Sequence, residues 1–129
     1  MKTIVGLVLV AMLTIVAVPA YAAEATQWWK CEMDDDTSEA EVLAMAADWL
    51  KAARKMKGGE KMEAKVLFPV AVNAIGEFDL FFVVTAPSFA EWGMFWDSYA
   101  GSPVEEVDKQ TQEKVVCPDS VLWESIKVK

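Results

Sequence analysis

Two copies of one helix-start signature divide this chain into halves that are expected to fold alike. Ser38 is followed by Glu41, and Ser88 by Glu91, in each case just before an apolar run with helical spacing. In such a capping box the serine side chain accepts a hydrogen bond from a free backbone amide, and the glutamate reaches back to the serine. The two signatures therefore predict two helices that begin next to residues 38 and 88.

Apolar stripes continue both helices at spacings of three and four residues. The first stripe runs from Val42 to Met56, and the pair of glycines at 58–59 is expected to end that helix. The second stripe runs from Phe89 to Tyr99 and stops at a glycine. A further short helix is predicted to begin at Pro103, a residue favoured at the first helical position.

Strand-like patterns flank the helices. Residues 27–33, 61–72 and 78–85 are predicted strands, and residues 113–117 and 120–128 supply the last strand or strands, interrupted by Pro118. Residues 73–76 fit a three-residue hairpin turn between the second and third strands. The resulting order, β-α-β-β-α-β, predicts an α+β ferredoxin-like sandwich: a four-stranded antiparallel sheet with two helices on one face.

The chain has two cysteines, Cys31 and Cys117, which lie on the first and last predicted strands. The ferredoxin-like plan places these strands side by side, so we expect a disulfide between them. The alternative is a pair of free buried thiols. Catalysis by a reactive thiol is disfavoured because the chain has no histidine to act as its base.

Residues 1–22 read as a cleaved signal peptide, which leaves residues 23–129 as a single domain. A positive start is followed by an apolar run and by Ala20-Tyr21-Ala22, and cutting is expected before Ala23. The alternative is a leader retained as a membrane anchor, since its apolar run is long enough to span a bilayer. The domain is thus predicted to be periplasmic or secreted, with no membrane association after cleavage.

The domain is strongly acidic. The whole chain carries a net charge of −8, and loss of Lys2 with the leader makes it −9. Such a charge repels phosphate backbones and anionic lipids, so nucleic acid is excluded as a partner.

The run from Phe78 to Trp92, FDLFFVVTAPSFAEW, resembles the third strand and second helix of the dimeric α+β barrel superfamily, which includes antibiotic-biosynthesis monooxygenase-like and NIPSNAP-like domains. The resemblance implies a homodimer whose sheets pack face to face, and a pocket between each sheet and its helices. Haem-degrading members hold iron through a histidine, which this chain lacks. Oxygenase members orient phenolic substrates with asparagine and tryptophan, but Asn73, the only asparagine here, is expected to open a turn.

Tryptophans are the main candidates for ligand binding or an interface. Trp49 and Trp92 lie on helical stripes and are expected in the core. Trp28 and Trp29 are adjacent on a strand, so they must face opposite ways, and one of them is available for a ligand or a partner. Trp96 ends a helical stripe and is a further candidate for the ligand site or interface.

Acidic and phenolic groups supply the candidate catalytic residues, Asp79 and Tyr99. Asp79 interrupts an apolar strand and would be a general base if buried, although exposure near the hairpin is the simpler account. Tyr99 offers a polar tip to a pocket. Residues 34–36, three aspartates, lack the spacing of a calcium loop and are explained by the dipole of the following helix, so no metal is expected.

These features support a domain that binds a small apolar or aromatic molecule, or a partner subunit, without metal or other cofactor. A cofactor-independent monooxygenase-like enzyme is the first alternative. A purely structural or protein-interaction module is the second.

Overall fold

The computed structural model describes residues 23–71 and 78–128, so the leader and the predicted turn at 73–76 lie outside the described residues. Seven elements follow one another along the chain: β1 (Glu24–Met33), α1 (Glu39–Ala53), β2 (Glu63–Leu67), β3 (Leu80–Ala86), α2 (Phe89–Asp97), α3 (Pro103–Thr111) and β4 (Val115–Ser125).

The strands form one antiparallel sheet in the order β2-β3-β1-β4. Alternate side chains along the strands point to one face of the sheet. On this face, residues such as Ala25 and Val84 pack in a single buried cluster with Trp49 of α1, Phe95 of α2 and Val104 of α3. All the helices therefore cover the same face of the sheet. The predicted ferredoxin-like plan is confirmed, with α3 as a third helix beside the two that the plan requires.

Serine caps begin each helix, as the sequence predicted for the first two. Ser38 accepts from the Glu41 amide while the Glu41 carboxylate accepts from the Ser38 amide, which completes the capping box. At α2 the Ser88 hydroxyl accepts from the Glu91 amide and donates to the Glu91 carboxylate. These caps satisfy amides that have no partner within the helix, and so fix where each helix begins.

Helix α1 ends at Ala53, earlier than its apolar stripe suggests, and turns lead on to β2. Met56 remains buried in these turns. Gly58 has a positive φ of 85°, and a β-carbon there would lie 2.3 Å from the Glu91 carbonyl oxygen. Only glycine allows this close approach to α2, so the glycine fixes the packing of the turn rather than the end of the helix.

The predicted disulfide is present and joins Cys31 of β1 to Cys117 of β4. Next to it the register of β1 and β4 shifts between Lys30 and Glu32, a bulge opposite Pro118. Because proline has no amide to donate, it is tolerated where the ladder is already interrupted. Of the two possibilities that the sequence left open, one strand or two, the structure has one, which runs through Pro118 from Val115 to Ser125.

Strand β2 is shorter than predicted, ending at Leu67, and Pro69 lies beyond it. None of the helices in the described parts of the chain combines the length and the apolar character that crossing a membrane requires.

The sheet surface opposite the helices, which we call the open face, is rich in large apolar side chains. Register places Val83, Trp28 and Val121 in one row across β3, β1 and β4. Leu67 and Trp123 flank this row, and Trp123 is 53% exposed.

Candidate functional site

A cavity of about 390 Å³ lies between the sheet and the helices, and we call it the helix-side cavity. Its walls come from all four strands of the sheet and from α1, α2 and α3 with the turn after α2. This volume falls in the range of pockets that hold small molecules.

Aromatic rings form much of the cavity wall. The ring of Trp29 stands at the centre, 6.5 Å from Trp49, 6.1 Å from Trp96 and 5.7 Å from Phe82. Tyr99 stacks at 5.1 Å from Trp96 and also lines the cavity. These tilted and edge-on contacts hold the rings in place, so that the apolar wall is formed before any ligand arrives.

A hydrogen-bonded Tyr99–Asp108 pair forms one polar part of the cavity lining. The Tyr99 hydroxyl donates a 2.6 Å hydrogen bond to Asp108 Oδ2. Burial is the main cause that raises the pKa of Asp108 above its usual value, against the opposing hydrogen bonds from Tyr99 and Trp49. Burial and the bond to Asp108 likewise raise the pKa of Tyr99, so its phenol keeps its proton and is not prepared to act as a base.

Trp96 contributes a hydrogen-bond donor that is not used within the protein. Its indole N–H is buried and is without a partner in residues 23–71 and 78–128. By contrast, the neighbouring Trp92 donates its N–H to Gln27 Oε1 at 3.1 Å. A buried donor without an acceptor costs free energy, so the packing of the rings around Trp96 has to offset this cost.

Two opposite charges of α3 also line the cavity. Lys109 Nζ lies 3.1 Å from Glu105 Oε1, and the pair neutralises itself. The Gly101 amide first, and then Lys109, lower the pKa of Glu105, which therefore stays ionised. Asp108 is the remaining charged group of the lining.

The structure brings five of the candidate residues together. Trp29, Trp96 and Tyr99 line the cavity, as do both bridged cysteines, Cys31 and Cys117.

The other two candidates lie elsewhere. Trp28 lies on the open face and packs 5.4 Å from Phe81. Asp79 is exposed and lies outside the cavity. Its carboxylate accepts a 2.6 Å hydrogen bond from the Met33 amide at the end of β1.

Sequence reasoning missed Asp108 and the part that Trp49 plays in the cavity wall. A signal for Asp108 was present: Val104, Val107, Asp108 and Thr111 share the spacing of one face of a helix. An aspartate on an otherwise apolar stripe faces the interior and requires a partner there. Within the described residues, no three acidic, cysteine or histidine side chains lie close enough together to hold a metal ion.

The chain matches no family model and no curated protein. Among solved structures, a hydroxynitrile lyase from Passiflora edulis is 15% identical with a TM-score of 0.54, over 84% of this chain and 96% of that one. A dimeric ferredoxin-like protein of unknown function from Thermobifida fusca is 13% identical with a TM-score of 0.48, over 82% and 92%.

A chlorite dismutase variant from Candidatus Nitrospira defluvii is 13% identical with a TM-score of 0.42, over 82% of this chain and 41% of that one. At such low identities the likeness concerns the fold alone. Together with the strand order, the likeness to the lyase supports the ferredoxin-like fold.

Proposed function

We propose that this protein is an exported binding domain that takes up a small apolar or aromatic molecule in the helix-side cavity, without a metal. The observation that carries the proposal is a preformed cavity of about 390 Å³ that combines aromatic walls with the polar Tyr99–Asp108 pair in its lining. A core that served stability alone would be filled.

Export is supported by the disulfide together with the leader. Disulfides persist in oxidising compartments such as the periplasm and the extracellular space. The bridge between Cys31 and Cys117 is the only use of cysteine in the chain, and no described cysteine is free. The leader at residues 1–22 has the features of a secretory signal peptide, which would direct the chain to such a compartment.

A homodimer through the open face forms part of the proposal. Trp28, Val121 and Trp123 provide a contiguous apolar surface, and a monomer that exposed it would be prone to associate. A second copy is the occupant we propose, because charges of both signs surround this surface, with Glu63 and Lys65 on β2. In a twofold-symmetric dimer, the acidic side chains of each copy can face the basic side chains of the other.

The enzyme alternative is less well supported by the chemistry of the cavity. A base would have to be Asp108, since Tyr99 retains its proton and Asp79 lies outside. Turnover of a phenolic substrate under oxygen that is lost in Asp108→Asn would favour this alternative over binding alone.

Isothermal titration with α-naphthylmethanol, an apolar bicyclic probe with one hydroxyl group, tests the binding proposal. Ala46 lines the cavity, whereas the next residue, Ala47, is exposed on α1. We expect Ala46→Leu to weaken binding about tenfold or more by filling the cavity, and Ala47→Leu to leave it unchanged. Failure of the wild-type protein to bind, or equal binding by the two variants, would contradict the proposal.

A further inference from the structure

We infer that the ligand of the helix-side cavity is an organic cation, a molecule with an apolar or aromatic body and a protonated amine that lies beside Asp108. This inference rests on the proposed function and specifies the chemical class of the ligand. It follows from three features of the cavity: an uncompensated carboxylate, aromatic walls and the charge of the whole domain.

The carboxylate of Asp108 is half-buried and has no cation beside it. In residues 23–71 and 78–128 no lysine or arginine nitrogen lies within 4.0 Å of it, and its neighbour on α3, Lys109, is paired with Glu105. Its hydrogen bonds come from neutral donors, the Tyr99 hydroxyl to Oδ2 and the Trp49 side chain. A buried carboxylate without a counter-charge is costly, so proteins supply one from within or from a ligand.

The walls around this carboxylate suit a positive charge. Trp29, Trp49 and Trp96 line the cavity together with Phe82 and Tyr99. The faces of aromatic rings carry negative potential, and cages of such rings are a recurrent way to hold ammonium groups. An ammonium between these rings and Asp108 would gain both interactions, whereas a carboxylate ligand would be repelled.

The net charge of the domain acts in the same direction. With the leader removed it is −9, because one of the 12 basic residues is lost against 20 acidic ones. A field of this sign raises the local concentration of cations and speeds their entry. Among the charged groups of the lining, the opposite charges of Glu105 and Lys109 cancel. Asp108 therefore determines the sign of the charge inside the cavity.

A neutral hydroxyl ligand is the competing possibility, since it would donate a hydrogen bond to the Tyr99–Asp108 pair. It would leave the charge of Asp108 uncompensated. A matched probe series separates the two: α-naphthylmethylamine, α-naphthylmethanol and α-naphthoate share one ring system and differ in charge. Affinities are measured by titration calorimetry at neutral pH.

We expect the amine to bind about tenfold more tightly than the alcohol, and the carboxylate to bind least. Asp108→Asn should remove the preference for the amine while the alcohol binds as before. Asp97→Asn, which deletes the same charge at an exposed position at the end of α2, should leave the preference intact.

An alcohol that binds as tightly as the amine, a carboxylate that binds tightest, or a preference that survives Asp108→Asn would overturn the inference while cavity binding stands. If none of the probes binds, the proposed function itself fails. The wild-type comparison decides the matter even if Asp108→Asn does not fold.

Discussion

Tyr99 and Asp108 meet across the turn that separates α2 from α3, with the Tyr99 hydroxyl donating to Asp108 Oδ2 at 2.6 Å. The bond links the turn after α2 to α3. It also keeps a carboxylate in a place where burial raises its pKa. A group held in an unfavourable environment in this way is characteristic of binding and catalytic sites.

Asp108→Asn is expected to increase stability at neutral pH. The raised pKa means that the folded protein holds the proton of Asp108 more tightly than the unfolded chain does. The wild type therefore loses stability as the pH rises from 3.8, the ordinary pKa of this group, through its pKa in the folded protein. The amide removes this loss and can still accept the bond from Tyr99. Urea unfolding at several pH values measures the difference between variant and wild type.

That difference should be smallest in acid and should grow as pH increases. Asp97→Asn is the matched control, since it deletes the same charge at the exposed end of α2. A variant that is less stable than wild type at neutral pH, with a gap that does not change with pH, would mean that Asp108 is a structural group.

Glu41→Gln is expected to destabilise the protein at neutral pH but not in strong acid. The bond from Lys114 Nζ, 2.8 Å away, is the first cause that lowers the pKa of Glu41 to about 2, and bonds from Ser38 add to it. The stabilisation is therefore present above the ordinary value of 4.5 and is lost as pH falls towards 2. Thermal unfolding as a function of pH follows the loss.

Glu39→Gln provides the comparison, because Glu39 also lies in the first turn of α1 and shares the effect of the helix dipole. Equal destabilisation by the two variants at neutral pH would show that the contacts with Lys114 and Ser38 contribute nothing specific.

Reduction of the disulfide is expected to lower the free energy of unfolding by about 4–5 kcal/mol, the chain-entropy estimate for a closed loop of this size. The bridge closes a sequence separation of 86 residues. Urea unfolding with and without a phosphine reductant measures the loss. The double variant Cys31→Ala/Cys117→Ala must be insensitive to the reductant, and a wild type equally stable in both conditions would contradict the estimate.

Trp123→Ser is expected to convert a dimer into monomers. The side chain is 53% exposed on the open face, where the proposed second copy would cover it. Sedimentation velocity reports the state of assembly. Leu43→Ser removes a similarly exposed apolar group, 52% accessible, from α1 and should leave the dimer intact. A monomeric wild type, or a dimeric Trp123→Ser, would reject the open face as the interface.

The fold could be predicted because its signals are local and agree with one another. Ser38 and Ser88 mark the helix starts by hydrogen bonds within one turn, and alternation marks the strands. Cys31 and Cys117 could be paired because the plan makes their strands neighbours. The continuation of β4 through Pro118 could not be predicted, because a bulge depends on the register of two strands that are distant in sequence.

The site was predicted less completely because it depends on the orientation of helices relative to one another. Trp29 and Tyr99 were among the candidates, but the partner of Tyr99 lies on α3, whose rotation against α2 no local pattern fixes. Asp79 was a candidate because it interrupts an apolar strand. Its carboxylate instead satisfies the Met33 amide, a contact between segments that only the folded chain brings together.

Strand β4 is long and lies at the end of the sheet, the kind of edge on which chains polymerise by adding strand to strand. Pro118 has no amide to donate and lies in the bulge, which distorts the backbone in the middle of this strand. A strand from another molecule would therefore meet an irregular edge. The residue that interrupts the sequence pattern thus works against the growth of fibres from this edge of the domain.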